Sequence, residues 1–188
     1  MEEGRLRLAR PADADPSEAL MRASIREIFP GFYDERQTAS AAIHVGHVDR
    51  QLIDDGTYFV IEEPSASQPL IACGGWSRRG KLYTGSGDAE DDTRLLDPAT
   101  EPARVRAMFV RGDRTRRGLG TRILEACEDA ARREGFRDLV LGATLPGVPL
   151  YERFGFVTSA PMQVTLPDGV TLAAAEMHRP IRDPIPSD

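Results

Sequence analysis

Residues 107–124 read AMFVRGDRTRRGLGTRIL and join a predicted strand to a predicted helix. The apolar run at 107–110 is typical of a strand, and a turn with Gly118 and Gly120 opens an amphipathic helix over 118–133. A helix N-terminus presents unpaired backbone N–H groups and the positive end of the helix dipole, and glycines let a ligand approach that backbone closely. The same turn carries three arginines, Arg114, Arg116 and Arg117. The stretch therefore predicts an anion site, and phosphate is the best candidate.

Two common phosphate-binding patterns do not match this turn. The spacing is not Gly-x-x-x-x-Gly-Lys-Ser/Thr, and neither a lysine nor a hydroxyl occupies the magnesium-binding positions, which disfavours a nucleoside triphosphatase. The spacing is also not Gly-x-Gly-x-x-Gly, and no acidic residue closes a second strand at the right distance, which disfavours dinucleotide binding. A well-capped helix with a solvated basic turn is the alternative that involves no ligand.

Strand and helix patterns alternate along the rest of the chain, which favours an α/β (α+β) fold. Strand patterns occur at 5–10, 58–61, 70–76, 104–110, 139–142, 163–166 and 170–177. Besides 118–133, a helix is expected over 34–55 with a break at Gly46. We expect one domain over 1–188, with a central mixed, mostly antiparallel sheet of about six to seven strands, about four helices and a long polar loop at about 78–101.

The first helix has a local start signal. Asp15 can cap it, Pro16 fits its first position and Glu18 completes a capping box. The helix is expected to end before Pro30. Near the other end of the chain, Pro167-Asp168-Gly169 predicts a tight hairpin turn.

The composition is that of an acidic globular protein, with 24 Lys+Arg against 30 Asp+Glu, a net charge of −6 and a pI near 5.2. Such a domain lacks the positive field of a general nucleic-acid binder, although a local patch can still hold a small anion. No stretch approaches the ~18 apolar residues of a membrane span, and the N-terminus lacks a signal peptide's apolar run. We therefore expect a cytoplasmic protein with neither nucleic acid nor membrane as partner.

Two segments, in this order, resemble the motifs of a known superfamily. The sequence RGLG at 117–120, after a strand ending at Val110, resembles motif A of the GNAT superfamily of N-acetyltransferases. The sequence LYERFGF at 150–156 resembles motif B, in which a Tyr-x-x-x-Gly-Phe element follows the fifth strand. The likeness is strong from about residue 103 to 157 and extends over the chain through element order.

The resemblance implies a GNAT-like fold and direct transfer of an acetyl group from the cosubstrate acetyl-CoA to the amine of a small molecule or a protein. The glycine turn would hold the pyrophosphate through backbone N–H groups, and the fourth strand would line the pantetheine arm. The implied cofactor-binding residues are Met108, Phe109, Val110, Thr115, Arg116, Arg117, Gly118, Leu119, Gly120 and Thr121. Tyr151 would be the catalytic acid that protonates the departing thiolate, and its alternative is an interior aromatic with its hydroxyl at the rim.

Three positions depart from the family pattern. Thr115 stands where Gln or Arg is usual, Thr144 where many members carry Asn, and Gly147 where Ala is frequent. Phosphate contacts at the first position and substrate contacts at the other two are therefore not carried over.

The sequence does not identify a general base. Glu62, Glu63 and a water chain are all open, and Arg106 either faces the acceptor pocket or points outward. His44 and His47 lie three apart on a predicted helix without a third ligand, so no metal site is expected and polar surface is the default interpretation.

Other aromatic and thiol side chains have simple alternatives. Trp76 and Tyr33 could line an acceptor pocket or belong to the core. Cys73 and Cys127 lie in apolar runs, and burial as reduced thiols is preferred to a nucleophilic role for Cys73.

Two other functions stay open beside acetyl transfer. One is a non-catalytic, acyl-CoA-binding regulatory domain that keeps motif A without turnover. The other is a nucleic-acid-associated module using 111–117, which the overall acidity disfavours. A homodimer is also left open.

Overall fold

A single sheet of seven strands organises the part of the chain that the computed structural model describes, residues 4–63, 65, 69–83 and 92–183. The strands are β1 (Arg5–Leu8), β2 (Tyr58–Glu62), β3 (Leu70–Ser77), β4 (Ala103–Val110), β5 (Asp138–Thr144), β6 (Val157–Thr165) and β7 (Thr171–Pro180). Their order in the sheet is β1-β2-β3-β4-β5-β7-β6. Only β4 and β5 run parallel to each other, so the predicted mixed, mostly antiparallel sheet is confirmed.

Helices cover both faces of this sheet. Within the described residues they are α1 (Ala14–Ile28), α2 (Glu35–His44), α3 (Arg50–Asp54), α4 (Leu119–Arg133) and α5 (Val148–Phe154). On one face, the apolar stripe of α4 that contains Ile123 and Cys127 packs on the inner strands. On the other, α1 and α3 pack on β2 and β3, and α1 and α2 pack on the β6–β7 hairpin. The apolar periodicity in the sequence therefore marks the core faces correctly.

The start of α1 differs from its prediction. The helix begins at Ala14, directly after a 3-10 turn at Pro11–Asp13, and no side chain caps it. The predicted capping box from Asp15 to Glu18 is wrong, because the Glu18 carboxylate instead accepts a hydrogen bond from the backbone N–H of Val48 at 3.0 Å. A long-range contact has replaced the local one.

The predicted loop at 78–101 is ordered at both described ends. Arg79 pairs with Leu95 in an isolated antiparallel bridge, and Leu96 is buried. The Arg79 guanidinium also forms an ion pair with Asp55 at 2.7 Å. The middle of the predicted loop, at 84–91, lies outside the described residues.

Tyr33 fastens the helices before β2 to the C-terminal part of the sheet. Its hydroxyl donates a hydrogen bond to the Ala173 carbonyl in β7 at 2.7 Å and accepts one from the Leu145 N–H, just after β5, at 2.9 Å. With 7% of its surface exposed, Tyr33 belongs to the core.

The two parallel strands separate after a short ladder. Ala103 pairs with Leu139 and Arg104 with Val140, and no further pair joins β4 to β5, although both strands continue to Val110 and Thr144. The carboxyl ends of β4 and β5 therefore diverge, and a cleft opens between them.

Candidate active site

The cleft where β4 and β5 diverge has a volume of about 100 Å³. Residues 105–109 of β4 line one side of it, and Gly142 and Thr144 of β5 line the other. Tyr151 of α5 also borders the space. The cleft is closed by side chains that come from the segment between α2 and α3 and from the β6–β7 hairpin.

The β4 wall contains a bulge. Phe109 pairs with Cys73 and Arg106 with Gly75, so Ala107 and Met108 together oppose the single residue Gly74. Ala107 has a φ of +52°, which is an unusual backbone conformation for a residue with a side chain. Such strain persists only where surrounding structure holds it, and bulges often adjust the backbone beside a functional site.

A buried tyrosine supports this bulge from β2. Tyr58 is 1% exposed, and its hydroxyl donates a hydrogen bond to the Ala107 carbonyl at 3.2 Å. That carbonyl is consequently held toward the interior of the sheet. The bulged backbone is thus fixed by a side chain beneath it.

Tyr151 is buried, with 8% of its surface exposed, and burial raises the pKa of its hydroxyl well above the ordinary value. Within the described residues, no group forms a hydrogen bond with that hydroxyl. Gly147 makes room for the ring, because a Cβ at that position would lie 3.0 Å from Cε2 of Tyr151. Gly147, which stands where the family frequently has Ala, therefore leaves the space that the Tyr151 ring occupies.

The glycine turn has the form of an open helix N-terminus. Gly118 precedes α4 with a φ of +78°, and no side chain in the described part of the chain caps the helix. The first backbone N–H groups of α4, those of Leu119, Gly120 and Thr121, consequently have no acceptor within the helix. Arg116 is also left-handed, with a φ of +62°.

The two glycines have different roles. A Cβ at Gly120 would lie 2.7 Å from Cδ2 of Leu150, so this glycine lets α4 and α5 pack closely. A Cβ at Gly118 would meet none of the described residues within 4 Å. Gly118 therefore faces space that the described residues leave open, whereas Gly120 joins the turn to the helix that carries Tyr151.

The arginines near the turn divide into two groups. Arg111 forms an ion pair with Asp113 at 2.6 Å, and Arg114 forms one with Glu63 at 2.7 Å. Arg116 and Arg117 are exposed beside Gly118. Two exposed guanidinium groups, those of Arg116 and Arg117, thus flank the start of α4.

The predicted cofactor residues fall into two places. Met108 and Phe109 line the cleft together with Tyr151, whereas Val110 and residues 115–121 do not. Thr115 is exposed, and its hydroxyl donates to the Gly112 carbonyl at 3.1 Å. The Leu119 side chain is 2% exposed and belongs to the core, which leaves only its backbone for a ligand.

A charged cluster on the cleft wall could not be placed from the sequence. Arg106 has a side chain that is 4% exposed, and it lies 3.2 Å from Oδ2 of Asp49. Lys81 lies 3.5 Å from the same oxygen. Burial alone would raise the pKa of Asp49, but the two cations outweigh it and lower that pKa. Arg106 therefore faces the interior side of β4 and not solvent.

The other residues considered in the sequence have structural partners or lie away from the cleft. Glu62 forms an ion pair with Arg7 at 2.7 Å. Trp76 is 1% exposed and, like Tyr33, does not border the cleft. The histidines diverge: His47 lines the cleft, whereas His44 lies 3.8 Å from Asp168 beside the β6–β7 turn.

Cys73 and Cys127 are both fully buried, as expected, and burial raises the pKa of the Cys73 thiol to about 12. Because the thiolate is the reactive form, we predict that iodoacetamide leaves both cysteines unmodified in the native protein at pH 8. Intact-mass measurement should show two adducts only after denaturation. An adduct formed at Cys73 under native conditions would contradict this prediction.

No helix among the described residues is long and apolar enough to cross a membrane. No three histidine, cysteine or acidic side chains in that part of the chain lie together in a way that could hold a metal ion.

This chain is similar to known proteins in both sequence pattern and fold. The sequence model of the acetyltransferase (GNAT) domain matches residues 93–175. No curated protein matches the chain in sequence. Among solved structures, the GCN5-related N-acetyltransferase from Rhodopseudomonas palustris is 20% identical, with a TM-score of 0.71 over 96% of this chain and 97% of that one.

Two further structures share the fold at lower identity. The yncA protein of Salmonella typhimurium, solved with acetyl-CoA, is 19% identical, with a TM-score of 0.59 over 98% of each chain. The PaiA N-acetyltransferase of Thermoplasma acidophilum, solved with coenzyme A, is 12% identical, with a TM-score of 0.60 over 94% of this chain and 98% of that one. The family match runs from before β4 into β7 and includes the glycine turn and Tyr151. The chain therefore has the fold of these N-acetyltransferases, and its residues 93–175 match the acetyltransferase (GNAT) domain.

Proposed function

We propose that this protein transfers the acetyl group of acetyl-CoA to the amine of a small molecule or a protein. The observation that supports this best is that one cleft contains both the bulged backbone at Ala107–Met108 and the side chain of Tyr151, whose hydroxyl has no hydrogen-bond partner among the described residues. Two structures with the same fold hold acetyl-CoA or coenzyme A.

The chemistry needs two kinds of group at one place. Attack of a neutral amine on the thioester carbonyl forms an oxyanion, which fixed backbone N–H groups stabilise. The bulge removes Ala107 and Met108 from the regular ladder with β3, so the backbone here can point an N–H into the cleft. Collapse then releases a thiolate, and the Tyr151 hydroxyl is the donor that we assign to it.

The phosphates of acetyl-CoA are assigned to the start of α4. The unpaired N–H groups of Leu119, Gly120 and Thr121 and the helix dipole favour an anion there. Arg116 and Arg117 supply the charge beside them.

Binding is tested at Gly118. We predict that Gly118→Val raises the Kd for acetyl-CoA at least tenfold in calorimetry, because the new side chain enters the open space at the helix N-terminus. The positive φ adds backbone strain of about 1–3 kcal/mol.

A matched control separates strain from lost binding. Gly56 also has a positive φ, +68°, is exposed, and has nothing within 4 Å of a built Cβ. Gly56→Val should therefore lower the free energy of unfolding by a similar amount and leave the Kd for acetyl-CoA unchanged. Equal Kd values for the two variants would remove the phosphate assignment. Gly120 is less suitable for this purpose, since enlarging it displaces Leu150.

Turnover is tested by thiol release. Wild-type protein with acetyl-CoA is assayed against spermidine, the twenty amino acids and a peptide with a free α-amino group. Amine-dependent release of coenzyme A supports the proposal. Tight binding of acetyl-CoA with no thiol release from any probe would instead favour the non-catalytic, acyl-CoA-binding alternative.

A further inference from the structure

His47 is the titratable imidazole that borders the cleft. It lies in the segment between α2 and α3, and its side chain is 61% exposed, so it can meet both a bound acceptor and water. The Nδ1 atom lies 2.8 Å from Oε1 of Glu18 in α1. Within the described residues, Nε2 has no polar partner.

Residues 46–48 are fixed by two side chains of α1. Arg22 donates from Nε to the Gly46 carbonyl at 3.1 Å, and Glu18 accepts from the Val48 N–H at 3.0 Å. Arg22 also lies 3.3 Å from Oε2 of Glu18. The backbone on both sides of His47, together with its ring, is therefore held against one helix, which is the kind of support that fixes a reacting group.

Charged side chains from four parts of the chain lie around the segment that contains His47. Glu18 and Arg22 belong to α1, and Asp49 lies two residues beyond His47. Arg106 of β4 and Lys81 both contact Asp49. Among these groups only Glu18 contacts the imidazole.

We propose that Nε2 of His47 is the general base that takes a proton from the acceptor ammonium, and that Glu18 is its positioning residue. The proposal rests on the proposed acetyl transfer. A carboxylate at Nδ1 keeps that nitrogen as the donor and leaves Nε2 as the acceptor, which is the arrangement that a histidine base requires.

The proton balance is complete with these groups. The ammonium loses one proton to Nε2, the neutral nitrogen forms a bond to the acetyl carbon, and the bond from that carbon to sulfur breaks. The nitrogen then loses its second proton. One proton is delivered to the thiolate through Tyr151, and the other leaves the His47 imidazolium for bulk water, so the products are the amide, the free thiol and one released proton.

The test compares His47→Gln with His44→Gln, using the probe amine that gives the fastest thiol release with wild type. At pH 7 we expect His47→Gln to lower kcat/KM about 100-fold. The Kd for acetyl-CoA should stay within twofold of wild type. His44 is a matched control, because it lies nearby in sequence but outside the cleft.

The pH profile with an alkylamine probe distinguishes a base from a structural residue. Wild-type kcat/KM should reach a level region well below the amine pKa near 10, because the base takes the proton from the ammonium form. With His47→Gln it should keep rising tenfold per pH unit toward the amine pKa near 10, because only the neutral fraction of the amine reacts. With Glu18→Gln, the pH profile should keep its level region, and kcat/KM should fall about tenfold.

The outcomes separate this inference from the proposed function. If wild type releases thiol and His47→Gln matches His44→Gln at every pH, the base assignment is overturned while acetyl transfer stands. If wild type neither binds acetyl-CoA nor releases thiol, both fail together.

Discussion

Replacing Tyr151 with phenylalanine is expected to lower kcat about 1000-fold and to leave the Kd for acetyl-CoA within twofold. The substitution removes one hydroxyl and keeps the ring that packs edge-on against Phe156. Since that hydroxyl has no hydrogen-bond partner among the described residues, its removal leaves no buried group unsatisfied. Stability should therefore change little, and the loss should be confined to the chemical step.

Burial also affects the way in which Tyr151 acts. The raised pKa keeps the hydroxyl protonated throughout the working pH range, but it moves that pKa away from the value of about 8.5 typical of a thiol. The hydroxyl consequently acts first as a hydrogen-bond donor to the developing thiolate, and the proton transfers as the carbon–sulfur bond breaks.

Stopped-flow and steady-state thiol assays measure this effect, and Tyr33→Phe is its control. Tyr33 is also a buried tyrosine, but its hydroxyl lies outside the cleft in two hydrogen bonds. Its loss should reduce stability and leave kcat within about threefold. A Tyr151→Phe enzyme that turned over at the Tyr33→Phe rate would eliminate the acid role.

Asp49→Ala should lower the free energy of unfolding by about 3 kcal/mol, because it leaves the buried Arg106 guanidinium without its counter-ion. The same substitution removes the N-cap of α3, where the Asp49 carboxylate accepts from the Gln51 N–H at 3.1 Å. Urea denaturation followed by circular dichroism measures the change.

Asp34→Ala isolates the contribution of the cap. Asp34 is an exposed N-cap of α2 that accepts from the Gln37 N–H at 2.7 Å, and no arginine among the described residues pairs with it. Asp34→Ala should lower the free energy of unfolding by about 1 kcal/mol. Equal losses for the two variants would mean that the charge of Arg106 needs no partner.

The pH dependence gives a second check on Asp49. Its pKa is lowered in the folded state, so its ionised form contributes stability above the unfolded pKa of about 3.9. That contribution is lost as the pH falls through the folded value. The difference in stability between wild type and Asp49→Ala should therefore be constant near neutrality and shrink in strong acid.

Local patterns in the sequence were sufficient for most elements of the fold. The stripe of α4, the break between α2 and α3 at Gly46 and the turn between β6 and β7 all follow from periodicity and turn chemistry, which act over a few residues. The same reasoning failed at Glu18. A capping box and a contact to Val48 compete for one carboxylate, and only the packing of α1 on the segment after α2 decides between them.

The parts of the candidate site that lie within a family motif could be predicted from the sequence. The parts that form where distant segments meet could not. Tyr151 and the glycine turn lie in such motifs. The burial of Arg106 depends on Asp49 and Lys81, and the place of His47 in the cleft depends on α1. The bulge at Ala107 could not be foreseen either, because its signal is a register difference between β3 and β4 and not a residue type.

The hydrogen bonds of Tyr33 impose an order on the assembly of the molecule. Its two partners follow it by 112 and 140 positions in the chain. A growing polypeptide therefore cannot form both of these hydrogen bonds until residue 173 has been synthesised and has left the ribosome. Val164 and Leu172 of the β6–β7 hairpin also border the cleft, so the cleft too is completed only after the C-terminal strands have been made.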